Sequence, residues 1–270
     1  MSTDRSLREL MSLDERVALV TGGAGHIGRV IAGGLAELGA NIAIVDMPTS
    51  RGSDVAAKLS ECWPVKSGMF DCDFEQSAAV QDLPRRVREK FGRIDILVNC
   101  AAFVGTGGLE GWAVPFEQQS ASTWRRAVEV NLTAPFILIQ AAAEDLSASG
   151  RGSVINISSI YGLSGPDWRL YEGTSLGNPA AYAASKGGLI QMTRWLATTM
   201  APRVRINAIA PGGVFRDTPE PFLSRYVART PLARMAREDD MKGAAAYLAS
   251  DLSAYVTGQC IAVDGGWTAW

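Results

Sequence analysis

Apolar positions along this chain follow two alternating patterns. Short runs at 17–20, 42–45, 94–98, 154–157, 204–209 and 260–263 include several rich in Val and Ile, with apolar residues at consecutive positions. A strand with one wet face alternates apolar and polar residues. Consecutive apolar positions instead mark strands buried on both faces, as in a parallel sheet. Between these runs, segments 27–38, 53–60, 76–91, 124–146, 180–199 and 239–248 read as helices. Strand-helix alternation predicts βαβ units with right-handed crossovers. The expected fold class is therefore α/β: a doubly wound parallel sheet in three layers, α/β/α, forming a single domain over residues 1–270. Gly and Pro cluster at 105–111, 162–179 and 211–221, which predicts long loops at strand ends, where α/β proteins place ligands.

Composition narrows the class further. Apolar residues make up 47% and charged residues 20% of the chain, and the net charge is −2 without a basic or acidic block. Nucleic acid and anionic membrane are not expected partners, and no apolar run approaches membrane-spanning length. The N-terminus MSTDRSLREL is polar and does not read as a signal peptide; residues 1–13 are expected to be flexible. Four scattered cysteines without a CxxC pair, with His26 as the one histidine, argue against a metal site and for reduced thiols in a cytoplasmic protein.

The first apolar run leads into Thr21-Gly-Gly-Ala-Gly-His-Ile-Gly28, and a helical segment follows at once. Gly23, Gly25 and Gly28 fit GxGxxG in its required strand-turn-helix setting. Glycine there permits a tight turn, close approach to a pyrophosphate and packing of helix on strand, and the helix N-terminus offers unpaired N–H groups to the phosphates. The turn points to a Rossmann-type dinucleotide site in which Gly22, Gly23, Gly25, His26, Ile27 and Gly28 contact the cofactor. The second run ends at Asp46, where a carboxylate can grip the adenosine ribose hydroxyls and repel the 2′-phosphate of NADP. NAD is thus expected over NADP, a preference that nearby Arg51 could soften.

Tyr182-Ala-Ala-Ser-Lys186 opens a helical stretch and puts a phenol and an ammonium on one face. A free phenol ionises near pH 10, and a neighbouring cation lowers that value, so Tyr182 could act as general acid or base.

With these motifs in order, nearly the whole chain resembles the short-chain dehydrogenase/reductase family. The further matching segments are Asp73 after Cys72, Asn99-Cys-Ala-Ala102, Asn131 in Val-Asn-Leu-Thr and Ile157-Ser-Ser159. Pro211-Gly-Gly-Val214 and Val263-Asp-Gly-Gly266 complete the set. The resemblance implies an NAD(P)-dependent oxidoreductase that moves hydride between nicotinamide and a carbonyl or secondary alcohol. By the same resemblance Ser159 bonds the substrate oxygen, Tyr182 transfers the proton, and Lys186 holds the nicotinamide ribose and tunes the tyrosine. Asn131 supports a proton-relay water. Asp73 contacts adenine, Asn99 and Ala101 border the cofactor, and Pro211, Gly212 and Val214 flank the nicotinamide. The family also implies a homo-oligomer, a tetramer or a dimer.

Departures from the family pattern bear on the substrate. His26 stands where a glycine is usual, and is expected to cover the phosphate loop; Ala102 replaces a glycine. Ser159 and Tyr182 are further apart than the family's usual spacing, so 163–179 is an insertion expected to wall the substrate pocket, with Arg169 or Glu172 reading a polar group. Segment 211–230 is the expected substrate-side loop. Tyr171-Glu-Gly-Thr is similar to a subgroup linked to bacterial surface-sugar and flagellin-glycan biosynthesis. Arg169, Glu172, Arg216 and Arg225 beside Trp112, Phe215 and Phe222 would suit a polar, anionic, ring-shaped substrate. The alternatives are a 3-oxoacyl-thioester reductase, a sugar epimerase or dehydratase, and a catalytically silent dinucleotide-binding protein.

Overall fold

In a computed structural model of the chain, which describes residues 4–104 and 109–270, seven strands form one parallel sheet in the order β3-β2-β1-β4-β5-β6-β7. They are β1 (Val17–Thr21), β2 (Asn41–Asp46), β3 (Ser67–Asp71), β4 (Ile96–Asn99), β5 (Gly152–Ile157), β6 (Val204–Pro211) and β7 (Cys260–Val263). Neighbours in β1 face opposite cores. Val17 and Leu19 pack under α4 (Ser77–Phe91), α6 (Ala134–Ala141), α7 (Ala143–Ala148) and α8 (Ala180–Met200). Ala18 and Val20 pack under α2 (His26–Glu37), α3 (Gly52–Cys62) and α10 (Lys242–Ala249). Consecutive apolar positions in the sequence are therefore two cores read alternately.

The strand order reverses between β1 and β4, and such a switch point opens a crevice at the C-terminal strand ends. Thr21 closes its floor: the hydroxyl donates to the Val98 carbonyl (3.3 Å) and accepts from the N–H groups of Cys100 and Ala101, each at 3.0 Å.

Several elements differ from the sequence expectation. Residues 7–11 form a short helix, α1 (Leu7–Met11), not a loose tail: Ser6 and Glu9 build a capping box, and Arg5 pairs with Asp251 at 2.9 Å. Strand β3 is an edge strand of sequence SGMFD, without the β-branched run that marks the buried strands. The expected helix 124–146 is divided into α5 (Ala121–Val128), a π turn over Glu129–Thr133, α6 and α7. Pro135 accounts for the widening: it has no N–H for an α bond, and the Ala134 N–H reaches back five residues to the Glu129 carbonyl. The expected loop 211–230 carries α9 (Phe222–Arg229). Of the expected loop 105–111, residues 105–108 lie outside the described residues. Among the described residues no helix is long and apolar enough to cross a membrane.

Candidate active site

A cleft of about 880 Å³ lies over the C-terminal strand ends. At one end is the turn between β1 and α2. Gly22 has φ +62°, and a Cβ there would fall 2.8 Å from the Ala101 backbone. A Cβ on Gly28 would fall 2.1 Å from the Gly22 carbonyl oxygen, so the helix rests directly on the turn. Gly25 caps α2 without a side-chain bond, which leaves the N–H groups of the first helical turn free of a capping partner. A cradle of bare backbone at a helix N-terminus fits a pyrophosphate. Gly22, Gly25, His26, Ile27 and Gly28 line the cleft. Gly23 lies against Val20 and Ile44, below it.

Asp46 ends β2 with its carboxylate accepting from the Ala24 N–H at 2.9 Å and the Met47 N–H at 2.8 Å. It stands in the cleft wall with Asp73, Ala101, Pro211, Gly212 and Val214. Arg51 is turned away, paired with Asp54 at 3.0 Å on the surface. Asn99, expected to border the cofactor, points elsewhere. Its amide is buried and donates to Asn156 at 2.8 Å inside the sheet, and Cys100 takes the place in the cleft lining.

At the other end, Ser159 follows β5 and caps a one-turn helix, accepting from the Tyr161 N–H at 3.2 Å. The neighbouring Ser158 is used structurally, donating to the Lys186 carbonyl at 2.9 Å. Tyr182 and Lys186 rise from the first turns of α8 beside Ser159. The Lys186 ammonium is 2% exposed, donates to the Ile157 carbonyl at 2.7 Å, and sits 5.8 Å from the centroid of the Tyr182 ring. Burial lowers the ammonium to about 8. Burial also raises the Tyr182 phenol, against a smaller downward pull from the Ser159 hydroxyl. Burial is the largest influence on the phenol; of the neighbouring groups, Cys100 pushes it up and Arg216 down. Asn131, in the π turn, is buried; it accepts from the Phe103 N–H at 2.6 Å and donates to Ser185 at 3.1 Å, tying the loop after β4 to α8.

Segment 163–179 reaches the cleft through Tyr171 and Leu176. Arg169 does not: it pairs with Asp167 at 2.7 Å and its side chain is 76% exposed. Glu172 is exposed and contributes a backbone carbonyl to Arg225. The expectation that Arg169 or Glu172 reads the substrate is corrected accordingly: Asp167 holds Arg169 outward, and the Glu172 side chain is exposed. Trp112 is buried against Phe103, while Phe215 is exposed. Of the four polar side chains expected at the pocket, Arg216 lines it. It lies 3.5 Å from Glu238, whose carboxylate is also 3.3 Å from His26, the first residue of α2. Sequence reasoning missed Tyr161, Tyr226 and Met235 in the lining. The position of Tyr161, two residues after Ser159, was the available signal; the other two come from elements far along the chain.

A family model described as enoyl-(acyl carrier protein) reductase matches residues 22–268. The chain is 34% identical over 262 residues to cis-4-hydroxycyclohexanecarboxylate dehydrogenase of Sinomonas cyclohexanicum, covering 94% of this chain and 97% of that one. It is 34% identical over 267 residues to 2-dehydro-3-deoxy-D-gluconate 5-dehydrogenase of Pseudoalteromonas atlantica, covering 96% and 98%. The crystal structure of a gluconate 5-dehydrogenase from Burkholderia cenocepacia J2315, in complex with NADP and tartrate, superposes with a TM-score of 0.86 at 30% identity, covering 98% of this chain and all of that one.

The buried ammonium makes a pH-dependent contribution to stability. In the folded chain Lys186 gives up its proton near pH 8, whereas the unfolded lysine keeps it to about 10.5. Below pH 8 the folded state thus carries the full cost of the buried charge, and that cost is released as pH rises from about 8 toward 10.5. The stability of the unmodified protein relative to Lys186→Met should be constant from pH 6 to 7 and should rise between pH 8 and 10. Urea unfolding at each pH measures the difference, and a gap that does not vary with pH would refute the assignment.

Proposed function

The chain belongs to the short-chain dehydrogenase/reductase family, and on that premise we propose how its cleft serves as an NAD(P)-dependent oxidoreductase site for a polar alcohol or its ketone. The observation that carries the reading is the convergence of Ser159, Tyr182 and Lys186 beside a backbone cradle suited to a pyrophosphate. Bound nicotinamide supplies or accepts the hydride. The chain's own residues manage the oxygen and the proton. Ser159 donates a hydrogen bond to the substrate oxygen. Tyr182 gives its phenolic proton to a ketone oxygen, or as phenolate removes the hydroxyl proton of an alcohol. Lys186 spends one N–H on Ile157 and has two more for the nicotinamide ribose and the tyrosine side of the cleft. Asn131 holds the loop that borders the site.

Substrate class follows from two supports. The relatives named above act, by their names, on hydroxylated carboxylic acids. In this chain Arg216 supplies a guanidinium to the cleft, and Coulombic attraction from it favours the ionised form of Tyr182. A hydroxylated, anionic substrate suits both. These supports do not extend to the surface-sugar subgroup suggested by Tyr171-Glu-Gly-Thr. A silent dinucleotide-binding protein would have no use for a buried serine and lysine gathered with a tyrosine at one point.

NAD is the proposed cofactor over NADP, because the Asp46 carboxylate is fixed by two backbone N–H groups where ribose hydroxyls would bind, and Arg51 is engaged with Asp54. A symmetric homo-oligomer is also proposed. Trp124, Phe136 and Trp195, on α5, α6 and α8, are 41%, 41% and 61% exposed, and the edge strand β7 is only half-covered.

Fluorescence titration should give tighter binding of NADH than of NADPH, and Asp46→Ala should erase most of the gap; equal or better affinity for NADPH in the unmodified protein would overturn the preference. Tyr182→Phe should lower turnover by roughly 10²–10⁴-fold with NADH affinity retained. Because burial keeps the phenol protonated at neutral pH, alcohol oxidation by the unmodified enzyme should quicken as pH rises. Near-normal turnover in the variant would remove Tyr182 from its role. Light scattering at micromolar concentration should report a dimer or tetramer, and a stable monomer would contradict the proposed assembly.

A further inference from the structure

The substrate end of the cleft is largely apolar, with Ile160, Leu176, Phe222 and Met235 in its wall. Within it stand two phenols whose hydroxyls are 2.6 Å apart, Tyr161 and Tyr171. Burial raises both, so both are protonated at neutral pH, and each lies close enough to Tyr182 for its charge to be felt. Two phenols carry two protons. One is used in the mutual bond, and the second has no acceptor among the described residues. A half-buried O–H donor with spare lone pairs beside it calls for a partner, and the cleft is where that partner would come from.

The pair is held rigidly relative to the reacting centre. Tyr161 belongs to the one-turn helix that Ser159 caps, and its own N–H donates to the Ser159 hydroxyl at 3.2 Å. Tyr171 is braced by an edge contact with Phe222, centroids 5.2 Å apart, and by Trp168 at 5.5 Å. The oxygen that Ser159 would hold and the phenol pair therefore have a fixed relation, set by the protein and not by the ligand.

We infer that the Tyr161–Tyr171 hydroxyl pair reads a second oxygen of the substrate, one that is not oxidised, and so selects polyols and hydroxy-ketones over compounds with a single oxygen function. This rests on the dehydrogenase reading above and sharpens it. Tyr161 and Tyr171 are specificity-determining residues in this scheme, and Tyr182 remains the proton carrier. A substrate with only methylene groups at this point would leave the spare donor unpaired in an apolar wall. A site built to bond a hydroxyl discriminates strongly against an analogue lacking it.

The test compares cyclohexanol with the 1,2-, 1,3- and 1,4-cyclohexanediols as substrates with NAD, in the unmodified protein and in Tyr171→Phe. That substitution removes one hydroxyl and keeps the ring against Phe222. The unmodified protein should favour at least one diol over cyclohexanol in kcat/KM. In Tyr171→Phe that preference should fall about ten- to a hundredfold, chiefly through the KM of the diol. Tyr161→Phe should give the same loss, and the double variant should lose little more than either single one, because the pair acts as a unit. A diol preference that survives both substitutions overturns the inference, as does the absence of any diol preference. Binding of the same compounds to the NADH-bound protein, followed by tryptophan fluorescence, separates the two readings. Diol binding that weakens in Tyr171→Phe without turnover of any alcohol supports the pair and counts against the dehydrogenase reading. Turnover of cyclohexanol and the diols alike, unchanged in both variants, does the reverse.

Discussion

A parallel sheet is stable only when both of its faces are covered, and that requirement organises this molecule. Covering both faces forces a helix after almost every strand, and each crossover brings a helix N-terminus back to the same edge of the sheet. Polar backbone groups that the interior cannot accommodate are thereby exported to one rim. The chain leaves β1 in one direction and β4 in the other, so the rim splits there. The glycine turn after β1, the Ser159 turn and the first turn of α8 all open into that split. No separate device is needed to gather them.

The two ends of the cleft are made of different materials. The cradle end is backbone against backbone: Gly22 against Ala101, α2 against Gly22, Thr21 bonded to the peptide N–H groups of Cys100 and Ala101. Little can shift there without breaking the sheet. The substrate end is side chain against side chain. Trp267 stacks on Tyr226 with centroids 4.4 Å apart, Tyr226 on Phe222, and Phe222 meets Tyr171. Arg229 pairs with Asp167, and Arg225 reaches the carbonyls of Leu170 and Glu172, so α9 is fastened to segment 163–179 by rings and charges. The substrate end is thus fixed by packing and charge, where the cradle end is fixed by the backbone itself.

The fold was legible because short apolar-rich runs mark six of the seven strands, the central ones buried on both faces. The seventh, β3, lies at the edge, where Ser67, Gly68 and Asp71 suffice and no apolar run is needed. Ser159, expected from the family resemblance, and Tyr182 and Lys186, expected from their four-residue spacing, come together in one cleft. The substrate wall was misread in its details. Arg169 and Glu172 looked like recognition groups by type, but whether a loop side chain points inward depends on partners such as the Asp167 that holds Arg169 outward, which no spacing rule reveals. Asn99 illustrates the same point. It is the last residue of β4, and its side chain falls on the sheet side, where Asn156 takes it up.

The π turn at Glu129–Thr133 has a consequence for how this stretch of chain is counted. A wide turn holds one residue more than an α-helix needs to carry its buried face past that point. The periodicity of α5 and that of α6 are out of step by one position along the sequence, although their faces remain continuous in space. Asn131 lies within the wide turn. Its amide spans Phe103 and Ser185 because the widened turn sets it there. The same widening that passes Pro135 thus joins the loop after β4 to α8.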